Sequence, residues 1–173
     1  LTESGFIRLE EGMRWNLKQG GSYYVTRNDS SLIAFTIPEH PFQGMRIMAS
    51  HSDSPSFKIK ENPEMESEGH YIRLNVERYG GMLFAPWFDR PLSVAGRVIV
   101  KDPSTDGKPS ACFLSKLVNI DRDLLMIPNL AIHMDRDANN GHKYNAQKDM
   151  LPLYGDLTAK NTFFQTIAEA ANV

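Results

Sequence analysis

The chain has 173 residues, of which 41% are hydrophobic and 23% are charged, and its formal net charge at pH 7 is −2. These fractions are typical of an ordinary globular protein with one or two small domains, and the slightly negative charge argues against a nucleic-acid partner. No stretch approaches the ~20 apolar residues of a membrane span, and the N-terminus lacks the pattern of a signal peptide. We therefore expect a cytoplasmic protein without a nucleic-acid or membrane partner.

Cys112 is the single cysteine of the sequence. An internal disulfide and a cysteine-rich zinc site are therefore both excluded. Because apolar residues follow it directly, we expect Cys112 to be a small buried residue.

The first fifty residues contain signals for one helix and three strands. Four apolar residues lie at nearly helical spacing: Phe6, Leu9, Met13 and Leu17. They predict a short helix within residues 1–18, which a glycine pair ends. Runs of β-branched and aromatic residues predict strands at 23–26, 32–37 and 45–49, the first two of them as a hairpin.

The remainder of the chain is mainly β in character. An acidic, turn-rich stretch at residues 61–69 is the best internal boundary. Apolar and polar residues alternate at 71–77, which predicts a strand with one wet face, and two β-rich runs at 92–101 and 111–118 flank an exposed loop at 102–109. We expect these strands to form a meander. A final helix is predicted by the apolar stripe that begins at Asn161 and ends at Ala171.

A histidine with an aspartate two residues later follows the predicted strand at 45–49. Serine and proline residues end this strand abruptly, so His51 is expected at its carboxyl end, where open α/β sheets place their ligands. An imidazole there can bind a divalent cation through one nitrogen, while Asp53 accepts a hydrogen bond from the other and fixes the tautomer. On these residues alone a second interpretation stays open, in which His51 only caps the strand and Asp53 starts a turn.

Five segments resemble, in the same order, the M18 metalloaminopeptidases, also called the aspartyl aminopeptidase family. They are residues 22–28, 49–60, 79–81, 87–98 and 127–133. Five ordered matches are far more specific than any single motif. The sequence departs from the common family pattern at two positions, Ser52 and Pro91, and neither side chain is a metal ligand.

The resemblance implies an α/β catalytic domain of zinc-peptidase type, interrupted by an inserted β-rich dimerisation domain. The stretch at 61–69 fits that division. We therefore expect residues 1–62 to be part of the catalytic α/β domain and residues 63–173 to form the dimerisation domain, complete or incomplete. Because the sequence does not begin with Met, we also expect a fragment of a longer protein.

The resemblance further implies an enzyme that removes N-terminal residues, acidic or neutral, from peptide substrates with two Zn²⁺ ions in each active site. In this chain His51 is the expected zinc ligand, and Asp53 is the expected catalytic residue that orients it. The family draws its other metal ligands and its general base from later sequence, beyond Val173. We expect the isolated chain to be inactive and to bind zinc weakly, since one imidazole is too few ligands.

His133 follows the apolar run at 130–132 and begins a polar loop. In the family, a histidine at this place reaches into the active site of the neighbouring subunit of a homo-oligomer, a dimer or a larger assembly, where it can bind the scissile carbonyl or the oxyanion. The alternative is a strand-end histidine with a structural role only. His40, His70 and His142 are interpreted as solvated loop residues without a function.

Residues 87–90 combine two aromatic side chains with Asp89 and Arg90. Such groups anchor protein interfaces, but they also suit a core turn with an internal Asp89–Arg90 ion pair. A second function, of a different class from an enzyme, therefore stays open: a non-catalytic module whose only activity is self-association.

Overall fold

A computed structural model describes residues 1–105 and 112–173. The described chain divides into two compact units, Leu1–Asp53 and Ser54–Val173. Regular structure in both units is mainly β-sheet, and the described residues contain one α-helix, near the C-terminus. No helix in these ranges is long and apolar enough to cross a membrane.

The first unit is built on a three-stranded sheet. Strand β1, Ile7–Arg8, runs parallel to β2, Ser22–Arg27, and β2 pairs antiparallel with β3, Ser31–Thr36. Asn28 and Asp29 have positive φ angles of 53° and 51° in the connection, a conformation that Asn and Asp tolerate better than most residues. The predicted hairpin is confirmed.

The helix predicted within residues 1–18 is wrong. A single 3₁₀ turn at Thr2–Ser4 ends at Gly5, and the chain then runs beside β2. The backbone N–H of Leu9 donates to the carbonyl of Tyr24 at 2.8 Å. Pairing with β2 therefore outweighs the helical preference of this segment, because few of its apolar side chains find an apolar partner.

The strand predicted at residues 45–49 is also wrong, because these residues have no strand conformation. Met48 is 99% exposed. A strand that is apolar on both faces needs neighbours that pair with it and cover it, and no strand described in this unit pairs with the run. His51 consequently lies in an irregular segment and does not end a strand.

The second unit contains two sheets and the helix. Strand β4, Ser56–Ser67, pairs antiparallel with β5, Tyr71–Tyr79, and β5 pairs on its other side with β8, Leu153–Asp156. A separate hairpin is formed by β6, Ala95–Lys101, and β7, Phe113–Asn119. The predicted meander is wrong, since the hairpin does not continue the β4–β5 sheet. The loop predicted at 102–109 lies partly outside the described residues.

The alternation predicted at residues 71–77 is confirmed by burial. Ile72, Leu74 and Val76 of β5 are buried, and the last two pack with Leu151 and Phe163 in the main apolar cluster. The sheet thus presents one face to the core and the other to solvent.

The C-terminal helix α1, Phe163–Ala171, confirms the last predicted element. Its two ends, Phe163 and Ala171, are buried, and the second of them packs against Val118 of β7. Phe164 is exposed, so only part of the predicted apolar stripe reaches the core.

Two local expectations of the second unit are corrected. Most of the stretch at 61–69 belongs to β4, whose register shifts between Ile59 and Glu64, and only its last residues turn. The strand continues because its acidic side chains find partners, as the ion pair of Glu66 with Lys160 at 2.9 Å shows. Cys112 is exposed and not buried.

Candidate functional site

The predicted pair of His51 and Asp53 is present in the first unit. The Nδ1 atom of His51 lies 2.9 Å from Oδ1 of Asp53 and 3.0 Å from its backbone carbonyl oxygen. Both partners only accept hydrogen bonds, so Nδ1 must carry the proton. The Nε2 atom of a neutral His51 is then left with a lone pair for a metal ion.

The pair is open to solvent, with the side chains of His51 and Asp53 82% and 53% exposed. A metal ion could therefore reach His51 without rearrangement of the chain. Among residues 1–105 and 112–173, no three His, Cys, Asp or Glu side chains are grouped so that they could hold an ion together. The described residues thus offer one imidazole nitrogen that could bind a metal ion, and they do not complete a zinc site by themselves.

His133 lies in the second unit, on a turn. The N–H of Met134 donates to the carbonyl of Ala131 at 2.8 Å and closes this turn. His133 and its neighbours Ile132 and Met134 are all exposed. The expected position at the start of a polar loop is correct, and the imidazole is presented outward.

His142 lies in a loop, as expected, but its side chain is partly buried and paired. Its Nδ1 lies 2.8 Å from Oδ2 of Asp135, and its side chain is 26% exposed. The hydrogen bond from His142, followed by one from the backbone N–H of Asp137, holds the pKa of Asp135 below its ordinary value. The turn that brings the pair together includes Gly141, at a φ of 119°, so the run Asn-Asn-Gly was the available sequence signal.

His142 also lines a cleft of about 560 Å³ in the second unit. Arg73 and Tyr144 line the same cleft, together with Lys148 and Asp149. The guanidinium of Arg73 is engaged by backbone, since Nη2 donates to the carbonyls of Leu151 at 3.0 Å and Lys148 at 3.1 Å. Burial lowers the pKa of Arg73, and the charge of Asp149 opposes that shift.

In residues 87–90 the two aromatic side chains pack toward the core, while Asp89 and Arg90 are exposed. Phe88 is buried, and the ring of Trp87 packs edge-on against Phe57 with centroids 5.0 Å apart. The expected Asp89–Arg90 pair is absent from the described contacts. Asp89 instead accepts from the N–H of Asn129 at 2.9 Å, and Arg90 donates to a nearby backbone carbonyl.

The mixed sheets and the exposed His51–Asp53 pair are features that a metallopeptidase can use. The family model described as aminopeptidase I zinc metalloprotease (M18) matches residues 1–170, and the chain belongs to this family.

Relatives with curated descriptions support the assignment. The chain is 51% identical over 162 residues to the probable M18 family aminopeptidase 2 of Clostridium acetobutylicum, a match that covers 92% of this chain and 36% of the relative. The protein of the same description from Ectopseudomonas mendocina is 44% identical over 164 residues, which are 94% of this chain and 36% of the relative. The chain therefore spans little more than a third of the length of these relatives.

Solved structures agree with the fold. The chain matches a chain of the cryo-EM structure of the Ape4 and Nbr1 complex with a TM-score of 0.85 and 35% identity, over 99% of this chain and 35% of the other. It matches Chaetomium thermophilum mApe1 with a TM-score of 0.82 and 32% identity, over 99% of this chain and 41% of the other. The mixed sheets described above are thus an arrangement found in M18 aminopeptidases.

Proposed function

We propose that this chain forms part of a zinc-dependent M18 aminopeptidase, which removes N-terminal residues from peptides. The observation that carries the proposal is the hydrogen bond between His51 and Asp53, which leaves one imidazole nitrogen for a metal ion. Family membership supports the same chemistry. The peptides would carry acidic or neutral N-terminal residues, as the family resemblance implies.

In this proposal His51 would hold one of two zinc ions through Nε2, and Asp53 would fix its ring. An imidazole tied at its other nitrogen is a common zinc ligand, so the donor chemistry fits. When bound, zinc would supply Lewis acidity for the activation of water and of the peptide carbonyl. The other ligands and the general base would come from the part of the family length that this chain does not match.

His133 is proposed to act in trans, at the active site of a neighbouring subunit. Its exposed position on a turn supports this role, because the side chain can reach beyond its own subunit. A donor aimed at the scissile carbonyl or the developing oxyanion is worth about 3–4 kcal/mol in the transition state. His133 therefore belongs to the catalytic group of the proposal, with Asp53 as the positioning residue of the metal ligand.

The proposed domain arrangement follows the family. Residues 1–62 would belong to a catalytic α/β domain, and residues 63–173 to an inserted dimerisation domain that builds a homo-oligomer. The division of the chain into two compact units lies between Asp53 and Ser54, nine residues before the proposed boundary, which falls within β4. The cytoplasmic location expected from the sequence stays a prediction.

A self-association module without catalysis is the second candidate, and one surface favours it. Strands β6 and β7 turn one face toward α1, while their other face exposes Ile99, Phe113 and Leu117. Exposed apolar side chains gathered on one face often mark an interaction site. In this case a second copy of the chain would cover the face, and the His51–Asp53 pair would have no catalytic role.

Subunit complementation tests the roles proposed for His51 and His133 in the enzyme. In an active homo-oligomer that contains this chain, a His133→Ala subunit and a His51→Ala subunit are each expected to be inactive. Mixed dimers carry both substitutions in one site and none in the other, so random mixing should restore about a quarter of the wild-type activity. If properly mixed dimers stay inactive, His133 does not act in trans.

A further inference from the structure

The turn that carries His133 is tied to the protein at both of its ends. We propose that the pair of Asp135 and His142 is a positioning device, which holds this turn so that His133 is presented in one orientation to the neighbouring site. The inference rests on the function proposed above for His133. It concerns two residues that sequence reasoning left without a role.

The first tie lies on the N-terminal side of the turn, at Asn129. The backbone N–H of Asn129 donates to Asp89 at 2.9 Å, and its side-chain oxygen accepts from the N–H of Leu130 at 2.8 Å. Two residues earlier, Ile127 is fully buried. The chain therefore leaves the core and is fixed immediately before the turn begins.

The second tie lies on the C-terminal side, at Asp135. One carboxylate oxygen is 2.8 Å from His142 Nδ1, and the other accepts from the N–H of Asp137 at 3.0 Å. The ring of His142 packs edge-on against Tyr144 at 4.8 Å, and Tyr144 packs at 4.8 Å against Phe88 of the core. The anchor thus extends from the turn to a buried aromatic residue.

Both ties meet at Tyr144. Its hydroxyl donates a long hydrogen bond of 3.5 Å to the side chain of Asn129, while its ring supports His142. We call this group the His133 clamp: Asn129, Asp135, His142 and Tyr144. A single aromatic side chain therefore joins the two ends of the turn.

Between Asn129 and Asp135, few contacts fix the conformation of the chain. The bond from Met134 N–H to the carbonyl of Ala131 closes the turn, and Ile132, His133 and Met134 are exposed. An exposed segment with one internal hydrogen bond samples many conformations unless its ends are fixed. Fixing the ends before association reduces the loss of conformational freedom when His133 enters a second subunit.

The clamp does not depend on the charge of His142. A carboxylate can only accept, so Nδ1 of His142 donates to Asp135 whether the ring is neutral or cationic. The other charged groups that line the adjoining cleft are Arg73, Lys148 and Asp149. Arg73 is already engaged by backbone carbonyls and so does not compete for Asp135.

Two substitutions at one position test the clamp in the 173-residue chain. His142→Phe keeps an aromatic ring against Tyr144 but removes the donor, whereas His142→Asn keeps a donor near the position of Nδ1. Hydrogen exchange of the Met134 amide, whose bond to the carbonyl of Ala131 closes the turn, should become at least about tenfold faster in His142→Phe, the lower end of the loss expected for a hydrogen bond to a charged group. His142→Asn should restore most of the protection.

His70→Phe is the matched control. His70 is an exposed histidine of the same unit whose ring also lies beside a tyrosine, at 6.4 Å from Tyr71. This variant should leave the exchange of the Met134 amide unchanged. Unfolding by urea, measured on these three variants and on Asp135→Asn, identifies any general loss of structure. If His142→Phe and Asp135→Asn both leave exchange at the turn within twofold of wild type, the clamp does not exist.

Steady-state kinetics of an active oligomer show whether the clamp only holds the turn or also positions His133 for catalysis. His142→Phe should lower kcat about tenfold at unchanged KM and zinc content, and His142→Asn should recover most of it. If exchange rises while kcat stays constant, and His133→Ala still lowers kcat, the clamp holds the turn without positioning the histidine and the inference is wrong. If His133→Ala itself leaves kcat unchanged, the proposed function fails, whatever the exchange rates are.

Discussion

The carboxylate of Glu64 on β4 accepts a hydrogen bond from the backbone N–H of Phe163 at 2.8 Å, across 99 positions of sequence. Its other oxygen accepts from the N–H of Asn161. Thr162, at the N-cap of α1, makes no side-chain capping bond of its own. A strand residue thus satisfies donors that would otherwise be free at the start of the helix and places a negative charge there.

We predict that Glu64→Ala lowers the free energy of unfolding by about 1–2 kcal/mol, the usual cost of a lost cap. Glu66→Ala is the matched control on the same strand, because its ion pair with Lys160 is about half exposed and such pairs contribute less than about 1 kcal/mol. Urea unfolding curves at constant slope measure both. Equal, small effects of the two substitutions would contradict the capping role.

This cap shows why part of the fold could not be predicted from the sequence. The β2–β3 hairpin, β5 and α1 were predictable because each is encoded by a pattern within a short window. Glu64 gave no signal, since its partner at Phe163 becomes a neighbour only when β4 and α1 pack together. The strand predicted at 45–49 does not form for a related reason. Its apolar pattern is local, but a strand also needs neighbouring strands, and the described unit provides none for this run.

The same distinction holds for the candidate site. His51 and Asp53 are two residues apart, so the hydrogen bond between them could be predicted without knowledge of the fold. His142 and Asp135 are seven residues apart, and their contact requires a turn with positive φ at Gly141. The role expected for His133 came from family resemblance, and the structure adds its exposed position on a turn.

Zinc binding by the isolated chain should be weak. With His51 as the expected ligand and no group of three ligands among the described residues, we predict a dissociation constant above about 1 µM, since tight structural sites need four ligands. Calorimetric titration with zinc measures it, with His40→Ala as a control for an exposed histidine of the same unit. Sub-micromolar binding at one site, lost in His51→Ala and kept in His40→Ala, would mean that the ligand count is wrong.

Self-association is predicted to depend on the exposed face of β6 and β7. Leu117 on this face is 82% exposed, and Leu117→Glu should weaken a dimer at least tenfold by placing a charge in an apolar contact. Leu83→Glu is the matched control, because Leu83 is 79% exposed elsewhere in the same unit. Sedimentation across a concentration series gives the constants. A wild-type chain that is strictly monomeric at about 50 µM would exclude this surface as an interface of useful affinity.

The Asp135–His142 pair predicts a pH dependence of the clamp. The hydrogen bond from His142 lowers the pKa of Asp135 in the folded state. A carboxylate with a depressed pKa contributes stability that is complete above its unfolded pKa of about 3.9 and is lost as the pH falls through the lower folded value. The clamp should therefore stay closed from neutral pH to about pH 4 and open only in more acidic solution.

Carboxyl-carbon NMR titration tests this dependence residue by residue. In His142→Phe the midpoint of Asp135 should rise toward the ordinary aspartate value, because the largest cause of its low pKa is removed. Asp156 is the internal control: its pKa is also lowered, but by hydrogen bonds from the hydroxyl and N–H of Thr158, so its midpoint should not move. A midpoint for Asp135 that is the same in wild type and His142→Phe would show that the two side chains do not interact in solution, and the second tie of the His133 turn would be lost with it.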